Sequence, residues 1–510
     1  VSHHKKEFFV MLLFLAAAAH GFAGSDEIPY IYGSREEVPR YFSFVTDEPE
    51  LNRMWNATLT EILSRQLENG QLIESSVESG LYMNSFPRSV TTALLIKSGR
   101  LAEARKHLDF LWEHQKGDGS FWNFYDRTGR GLGIVEEDGG CYVVGHTYLY
   151  YLYSGDRDYL KKKWGKINKA MGFIENLFND ELGLVHSTAG YSEGNIRGGY
   201  NIYHQAVSVF GFRSASGIAS ALGKGSFAEQ YDRNVERIKK GVYENLFNED
   251  EGRFSFQRRV EGGYFDPPYP AFLVLSYYDV FDPRAEAFER SFKYLVEGPR
   301  YGEYSGEIFG LEPFDHDHAT GRGFWIGQNG HGWVIPYLLK AGRMEEADRW
   351  VKGLIAATDD RTHLVPEHIN FGPWDPDGGS WDGKNYGVLP DPKAWVDPGN
   401  LYALSTAMHF VFNIIETDPA DEGQLIYFRV PPTFGMVGAS NMRTHFGYLD
   451  ASYVSKGKMI EITVSGTGDG KIIVIGASGA DRVTRDGTPW EEWVSDGSGN
   501  VIITSDLEHR

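Results

Sequence analysis

Two glutamates stand out by what surrounds them. In HSTAGYSEGNIRGGYNIYHQ, Glu193 is the single carboxylate, flanked by Tyr191 and Arg197 and by glycines that let a ligand approach the backbone. In LVPEHINFGPWDPDGG, Glu367 lies between a proline and a histidine, ahead of a segment carrying Trp374, Asp375, Asp377, Trp381, Asp382 and Trp395. A facing pair of carboxyl groups suits hydrolysis of a glycosidic bond: one protonates the leaving oxygen, and the other activates water or attacks carbon. A glutamate beside an apolar aromatic can keep its proton at neutral pH, as an acid must. Both residues also fit ordinary roles, Glu193 paired with Arg197 on a surface loop and the later tryptophans covering the core.

Other polar groups are less specific. Trp122 and Asp126 precede the run Glu136, Glu137, Asp138. Such a run is ordinarily a solvated helix start favoured by the helix dipole, although it could instead ligate sugar hydroxyls. The DHDH stretch at 315–318 has metal-capable side chains with no partner motif to fix a coordination geometry, and reads as a polar loop. Asp375 and Asp377, with Gly378 and Gly379, are similar to the start of a calcium loop, but the glutamate at the EF-hand offset is missing. No metal site or cofactor is therefore required, and calcium has a place only as a structural extra. Cys141 is the only cysteine, which excludes an intramolecular disulfide and a thiolate zinc site.

The elements that must position these groups alternate in texture. RLAEARKHLDFLWEHQ, RDYLKKKWGKINKAMGFIENLF, SFAEQYDRNVERIKKGVYENLF and RMEEADRWVKGLIAA have apolar residues at spacings of three and four, the mark of helices with one wet face. DEPELNRMWNATLTEILSRQ and DPRAEAFERSFKYLVEG complete six such segments. Between them come SVTTALLIKSG, YVVGHTYLYYLYSG, YHQAVSVFGFRSASGIASALG, PYPAFLVLSYYDVF, HGWVIPYLLKAG and NLYALSTAMHFVFNII, nearly free of charge and hence buried. Six outer helices alternating with six inner ones predict a closed (α/α)6 toroid over residues 47–420. Long loops lead into the inner helices, so the functional groups should gather at the N-terminal mouths of those helices. Residues 424–510 turn to short β segments separated by glycine-rich turns, read as a small C-terminal β domain. A structural cap on the toroid is favoured over a carbohydrate-binding module, since no exposed aromatic ladder is evident.

A net charge of -20 argues against nucleic-acid or anionic-membrane partners and suits a neutral carbohydrate. Residues 1–23, with Lys5 and Lys6 before FFVMLLFLAAAA and small residues at Gly21 and Ala23, read as a signal peptide for secretion. Residues 24–46 read as an N-terminal extended segment. Nothing in the sequence fixes the oligomeric state.

The order of segments over roughly 80 to 420 resembles the glucoamylase family, glycoside hydrolase family 15, within the six-hairpin glycosidases. MNSFPRSVTTALLIKSGRLAEA is similar to the family's arginine-bearing entry into the first inner helix, and EEDGGCYVVGHTYLYY to its acidic-glycine segment. SEGNIRGGYNIYHQ resembles the region of the general acid, and LVPEHIN that of the base. The resemblance implies an inverting exo-acting glycosidase for α-linked sugars, with Glu193 as acid and Glu367 as base. It implies Arg88 as a ligand of sugar hydroxyls, with Asp138, Trp122, Tyr191, Arg197, Trp374 and Trp395 as further binding candidates. Ser192 replaces the family's tryptophan, Arg197 stands two positions late, and Ser89 replaces an aspartate that holds the terminal glucose, so the sugar and linkage stay open. Competing readings are a trehalase-like or rhamnosidase-like toroid enzyme with an aspartate acid such as Asp315 or Asp138, and a non-catalytic glycan-binding protein on the same scaffold.

Overall fold

A helix with one apolar stripe lies on a core, whereas one apolar all round lies inside it. The computed structural model describes residues 40–507 except 75–85, 89, 136, 189–197, 266–269, 298–323, 326–331, 371–393, 422–424, 446, 458, 467, 476–483, 486–487, 490–492 and 496–500. The striped segments form α1 (Pro49–Ser64), α3 (Leu101–Glu113), α5 (Arg157–Glu175), α7 (Gly225–Asn245), α9 (Glu286–Glu297) and α11 (Met344–Ala357). The apolar segments form α2 (Thr91–Lys97), α4 (Gly139–Ser154), α6 (Ile202–Ala221), α8 (Leu273–Tyr277), α10 (Gly332–Lys340) and α12 (Leu401–Met408), which α13 (Val411–Ile414) continues. On α7 the stripe Ala228, Tyr231, Val235, Ile238 and Val242 is buried while Asp232, Arg233, Glu236 and Lys240 are exposed. On α6 every residue from Ile202 to Val209 is buried. Outer and inner helices thus alternate in six pairs, as the (α/α)6 toroid requires.

The ring closes where the last inner helix meets the first. Thr91 on α2 donates to the Leu401 carbonyl at 3.2 Å and accepts from Ser405 Oγ at 2.9 Å. Inner helices also approach closely along their length. A Cβ on Gly211 of α6 would fall 2.7 Å from Cys141 Cβ of α4, a distance that only glycine permits. At the rear, α4 and α6 end on Gly155 and Gly223, both at φ 72°, so the chain reverses within a few residues into α5 and α7. The long connections are left to the opposite end, where the inner helices begin.

Buried histidines sit between the helices of the two rings and along the inner one. His107 contacts Thr92 Oγ1 at 2.8 Å, and burial holds both His107 and His146 at a pKa of about 3. His409, 3.0 Å from Lys97 Nζ, is also held well below its ordinary value, by burial first and then by Lys97. These imidazoles stay neutral in the folded chain but charge in the unfolded one below pH about 6.5. Stability is therefore full above that pH and falls as the pH drops, by about 1.4 kcal/mol per pH unit for each histidine. We expect Tm to fall steadily from pH 6.5 to 5, above the carboxylate range, and His146→Gln to flatten that slope in a thermal-melt series.

The β region departs from the boundaries read from sequence. Strand Ser43–Thr46, at the end of the expected N-terminal segment, pairs antiparallel with Met436–Thr444, in register Ser43↔Ser440 to Thr46↔Val437. Gly447–Lys456 and Met459–Gly466 complete that four-stranded sheet. A second sheet starts at Ile415–Thr417, before residue 424, and runs through Leu425–Phe428, Gly468–Val474, Val501–Leu507 and Trp493–Ser495. The physical reason is burial: Phe44 and Thr46 face inward, and Phe42 packs with Trp55 of α1 and Phe412 of α13. Tyr41–Arg510 accordingly forms one compact unit. Residues 1–23 and most of 24–46 lie outside the described residues, and among the described ones no helix is long and apolar enough to cross a membrane.

Candidate active site

The mouth of the toroid is best followed from α4. Gly139, its first residue, lies so close to Pro87 that a Cβ there would be 3.3 Å from Pro87 Cβ, which sets the start of α4 against Arg88 at the entry to α2. Arg88 is buried, with its guanidinium 4.2 Å from the Phe86 ring centroid and 6.0 Å from that of Tyr402 on α12. Phe86 stacks at 5.2 Å on Phe124, from the hairpin formed by Trp122–Tyr125 and Gly131–Val135, and meets Tyr402 edge-on at 5.6 Å. Deeper in, Tyr142 of α4 shares a 2.8 Å hydrogen bond with Tyr203 of α6, whose ring lies 5.8 Å from Trp333 of α10. Burial pushes the Tyr142 hydroxyl well up, so it remains a hydrogen-bond donor at any working pH.

The acidic run before α4 is not the solvated helix start expected from sequence. Glu137 is 4% exposed and Asp138 is 3% exposed, because Pro87 and the chain at Ser187–Thr188 close over the start of α4; Glu136 lies outside the described residues. Two other inner helices have asparagine caps: Asn201 accepts from the His204 N–H at 2.8 Å and Asn400 from the Ala403 N–H at 3.0 Å. Asp138 holds the same position on α4 with helical backbone angles, φ -73° and ψ -21°, and its side chain caps nothing. Neither carboxylate oxygen has a hydrogen-bond partner among the described residues. A buried carboxylate left in that state costs several kcal/mol (about 3–5 where a partner is removed), so it points to a ligand that supplies the donors.

Glu137 is the opposite case. It accepts from Ser187 Oγ at 3.1 Å, from the Thr188 N–H at 2.8 Å and from Thr188 Oγ1. Burial pushes its carboxyl up, but His204 and the Thr188 donors outweigh burial and hold it below the ordinary glutamate value.

Glu193, Tyr191 and Arg197 lie outside the described residues, as do Trp374, Asp315 and the 375–382 aspartates. The two ends of the segment bearing Glu193 are described. Ser187 and Gly199 exchange reciprocal backbone hydrogen bonds of 2.9 Å, and Gly199–Asn201 pairs with Gln257–Arg259 just before α6. Glu367 was expected on a loop; its backbone lies in strand Pro366–Asn370, at the centre of a three-stranded antiparallel sheet with Phe324–Trp325 and Ala394–Pro398. Pro366 pairs with Pro398, two residues before the Asn400 cap of α12, and Trp395 pairs with Ile369, so the backbone of Glu367 lies beside the chain that leads into the sixth inner helix. Trp122 is partly buried in the hairpin beside Phe124. Gly131 lies against its indole, leaving no room for a Cβ, and Lys116 Nζ is 4.2 Å from its centroid, so the protein itself packs this ring.

The structure thus sets the chain at Asp138–Gly139 against the chain at Pro87–Arg88, and adds groups that sequence reasoning missed: Phe86, Phe124, Tyr142, Tyr203, Trp333 and Tyr402. The alternation in WNFY, with Asn123 and Tyr125 buried on one side, was the signal that could have placed Phe124 beside Trp122. Among the described residues no group of three histidine, cysteine or acidic side chains could hold a metal ion.

No family model matches the chain. An uncharacterized glycosyl hydrolase of Methanocaldococcus jannaschii is 26% identical over 220 residues, 41% of this chain. The chain spans about a third of that relative's length (34%) in the match. Among solved structures, the GH78 family rhamnosidase of Bacillus sp. GL1 aligns with a TM-score of 0.60 at 11% identity, over 85% of this chain and 42% of its own. The Streptomyces avermitilis α-L-rhamnosidase complexed with L-rhamnose gives 0.58 at 16%, over 92% and 42%. A bacterial glucoamylase complexed with acarbose gives 0.52 at 15%, over 71% and 55%. At these identities the likeness is one of fold, and the fold is the α/α toroid of six-hairpin glycosidases with a sheet-rich C-terminal region.

Proposed function

We propose that the protein is a secreted glycoside hydrolase that removes sugars from the ends of a neutral α-linked oligo- or polysaccharide with inversion of configuration. The observation that carries this reading is Asp138, buried with two unpartnered carboxylate oxygens at the mouth of a glycosidase toroid, on the turn beside Arg88. An anionic acceptor and a guanidinium donor set among aromatic rings suit the hydroxyls and apolar face of a sugar ring. In this reading Glu193 acts as the general acid and Glu367 as the general base, and inversion calls for about 6.5–9.5 Å between such a pair. Arg88 and Asp138 hold the terminal sugar, with Tyr191, Arg197, Trp374 and Trp395 as the remaining contacts. The chain needs no cofactor, and the stretch FFVMLLFLAAAA directs its export.

Glucoamylase-like specificity rests on the motif resemblance. A rhamnosidase-like specificity is the second reading. It is favoured by the 92% of the chain that aligns with a solved rhamnosidase, a share that the helical part alone cannot supply. Incubation with a panel of α-glucosides and α-L-rhamnosides, with released sugar measured, separates the two. Sugar binding without turnover on any member would overturn both.

Asp138→Asn carries its own expectation. Charge-assisted hydrogen bonds to sugar hydroxyls are worth about 1.5–3 kcal/mol, so kcat/KM should fall about 10- to 100-fold. Tm should rise at the same time, because a buried and unpaired charge has been removed. Kinetics and a thermal melt on one preparation check both signs.

A further inference from the structure

Glu137 is spent on structure that serves the reaction only if the chain it holds takes part in it. Its carboxylate collects three hydrogen bonds from Ser187 and Thr188, the last described residues before segment 189–197. The returning end is pressed onto the same two residues: a Cβ on Gly198 would lie 2.8 Å from the Ser187 carbonyl oxygen and 2.9 Å from that of Thr188. Glu137 therefore ties the common root of both ends to the start of α4. Its neighbour in sequence is Asp138, whose free oxygens mark where the sugar is held. One rigid dipeptide thus refers the two to each other. Among the described residues, His204 on α6 and His186 before Ser187 interact electrostatically with Glu137, Asp138 follows it in sequence, and the acceptor for Thr188 is Glu137.

We propose that Glu137 is a positioning residue for proton delivery: it fixes the root of the Glu193 segment relative to Asp138, so that the acid meets the glycosidic oxygen. The inference rests on the proposed function, with Glu193 as acid. A carboxyl misplaced by about 1 Å costs up to about 10²-fold in rate, so small slack at the root has a large effect.

The test uses leaving groups. A disaccharide needs its leaving oxygen protonated, whereas the corresponding α-glycosyl fluoride does not. Glu137→Ala should lower kcat on the disaccharide about 10- to 100-fold, with KM within about 2-fold and the fluoride rate within about 3-fold. Glu137→Gln, whose amide oxygen still accepts from the Thr188 N–H, should recover most of the loss. Should Glu137→Ala not fold, Thr188→Val removes one donor and leaves the carboxylate in place, with an expected selective loss of about 3- to 10-fold. Equal loss on both substrates, or none on either, in the folded variant overturns the inference. Glu193→Gln is measured alongside; if it shows no leaving-group-dependent loss, the assignment of the acid fails instead.

Discussion

Glu367→Gln is expected to lower kcat on an oligosaccharide by about 10²–10⁴-fold while leaving KM within a few fold, the range set by removal of a general base. The amide matches the carboxylate in size and keeps an acceptor oxygen, but it cannot take a proton from water. In an inverting reaction that water must be activated on the face opposite the leaving group, and no second carboxylate can replace the base without moving to that face. The backbone of Glu367 is fixed by pairing on both sides, Pro366 with Pro398 and His368 with Trp325 and Val396, so the substitution should leave the fold intact. The acidic limb of the kcat/KM profile, where the base becomes protonated, should disappear together with the activity. Retention of more than about half of kcat would place the base elsewhere.

Glu193→Gln has the second-largest expected effect and a different signature. The acid is needed in proportion to the basicity of the leaving oxygen, so the loss should be about 10²–10⁴-fold on an oligosaccharide and about 10-fold or less on an α-glycosyl fluoride. In the parent protein, activity is expected to fall as pH rises through the pKa of the acid, which must be protonated to act. In the variant assayed with the fluoride, that basic limb should be gone. A loss equal on both substrates would instead mark Glu193 as a residue of binding or folding, and Asp138 would then be the next carboxyl to test as acid.

The toroid could be read from sequence because burial leaves a local record in helices. The contrast between α6, buried at every residue from Ile202 to Val209, and α7, with its single stripe, is written in consecutive residues. The strands left no such record. Ser43–Thr46 finds its partner at Val437–Ser440, close to the other end of the chain, and Pro366–Asn370 is a five-residue strand whose partners come from two separate segments. No periodicity in four or five residues reports a partner so distant. The acidic run misled for a related reason. Charge next to a helix start usually means solvent, and only tertiary contacts from Pro87 and from Ser187–Thr188 bury Glu137 and Asp138. Residue type and motif could therefore single out Arg88 and Asp138 as candidates. The packing itself, the burial of Glu137 against Ser187–Thr188 and the aromatic ring set around Tyr142 and Tyr402, could not be read from them.

The anomer released at the first turnover tests the account most directly. Proton NMR of a fresh digest of an α-linked oligosaccharide, recorded before mutarotation, should show the β-anomer appearing first. That result follows from a water attacking opposite the leaving oxygen between Glu193 and Glu367. Initial release of the α-anomer would contradict the inverting pair and the roles given to both glutamates.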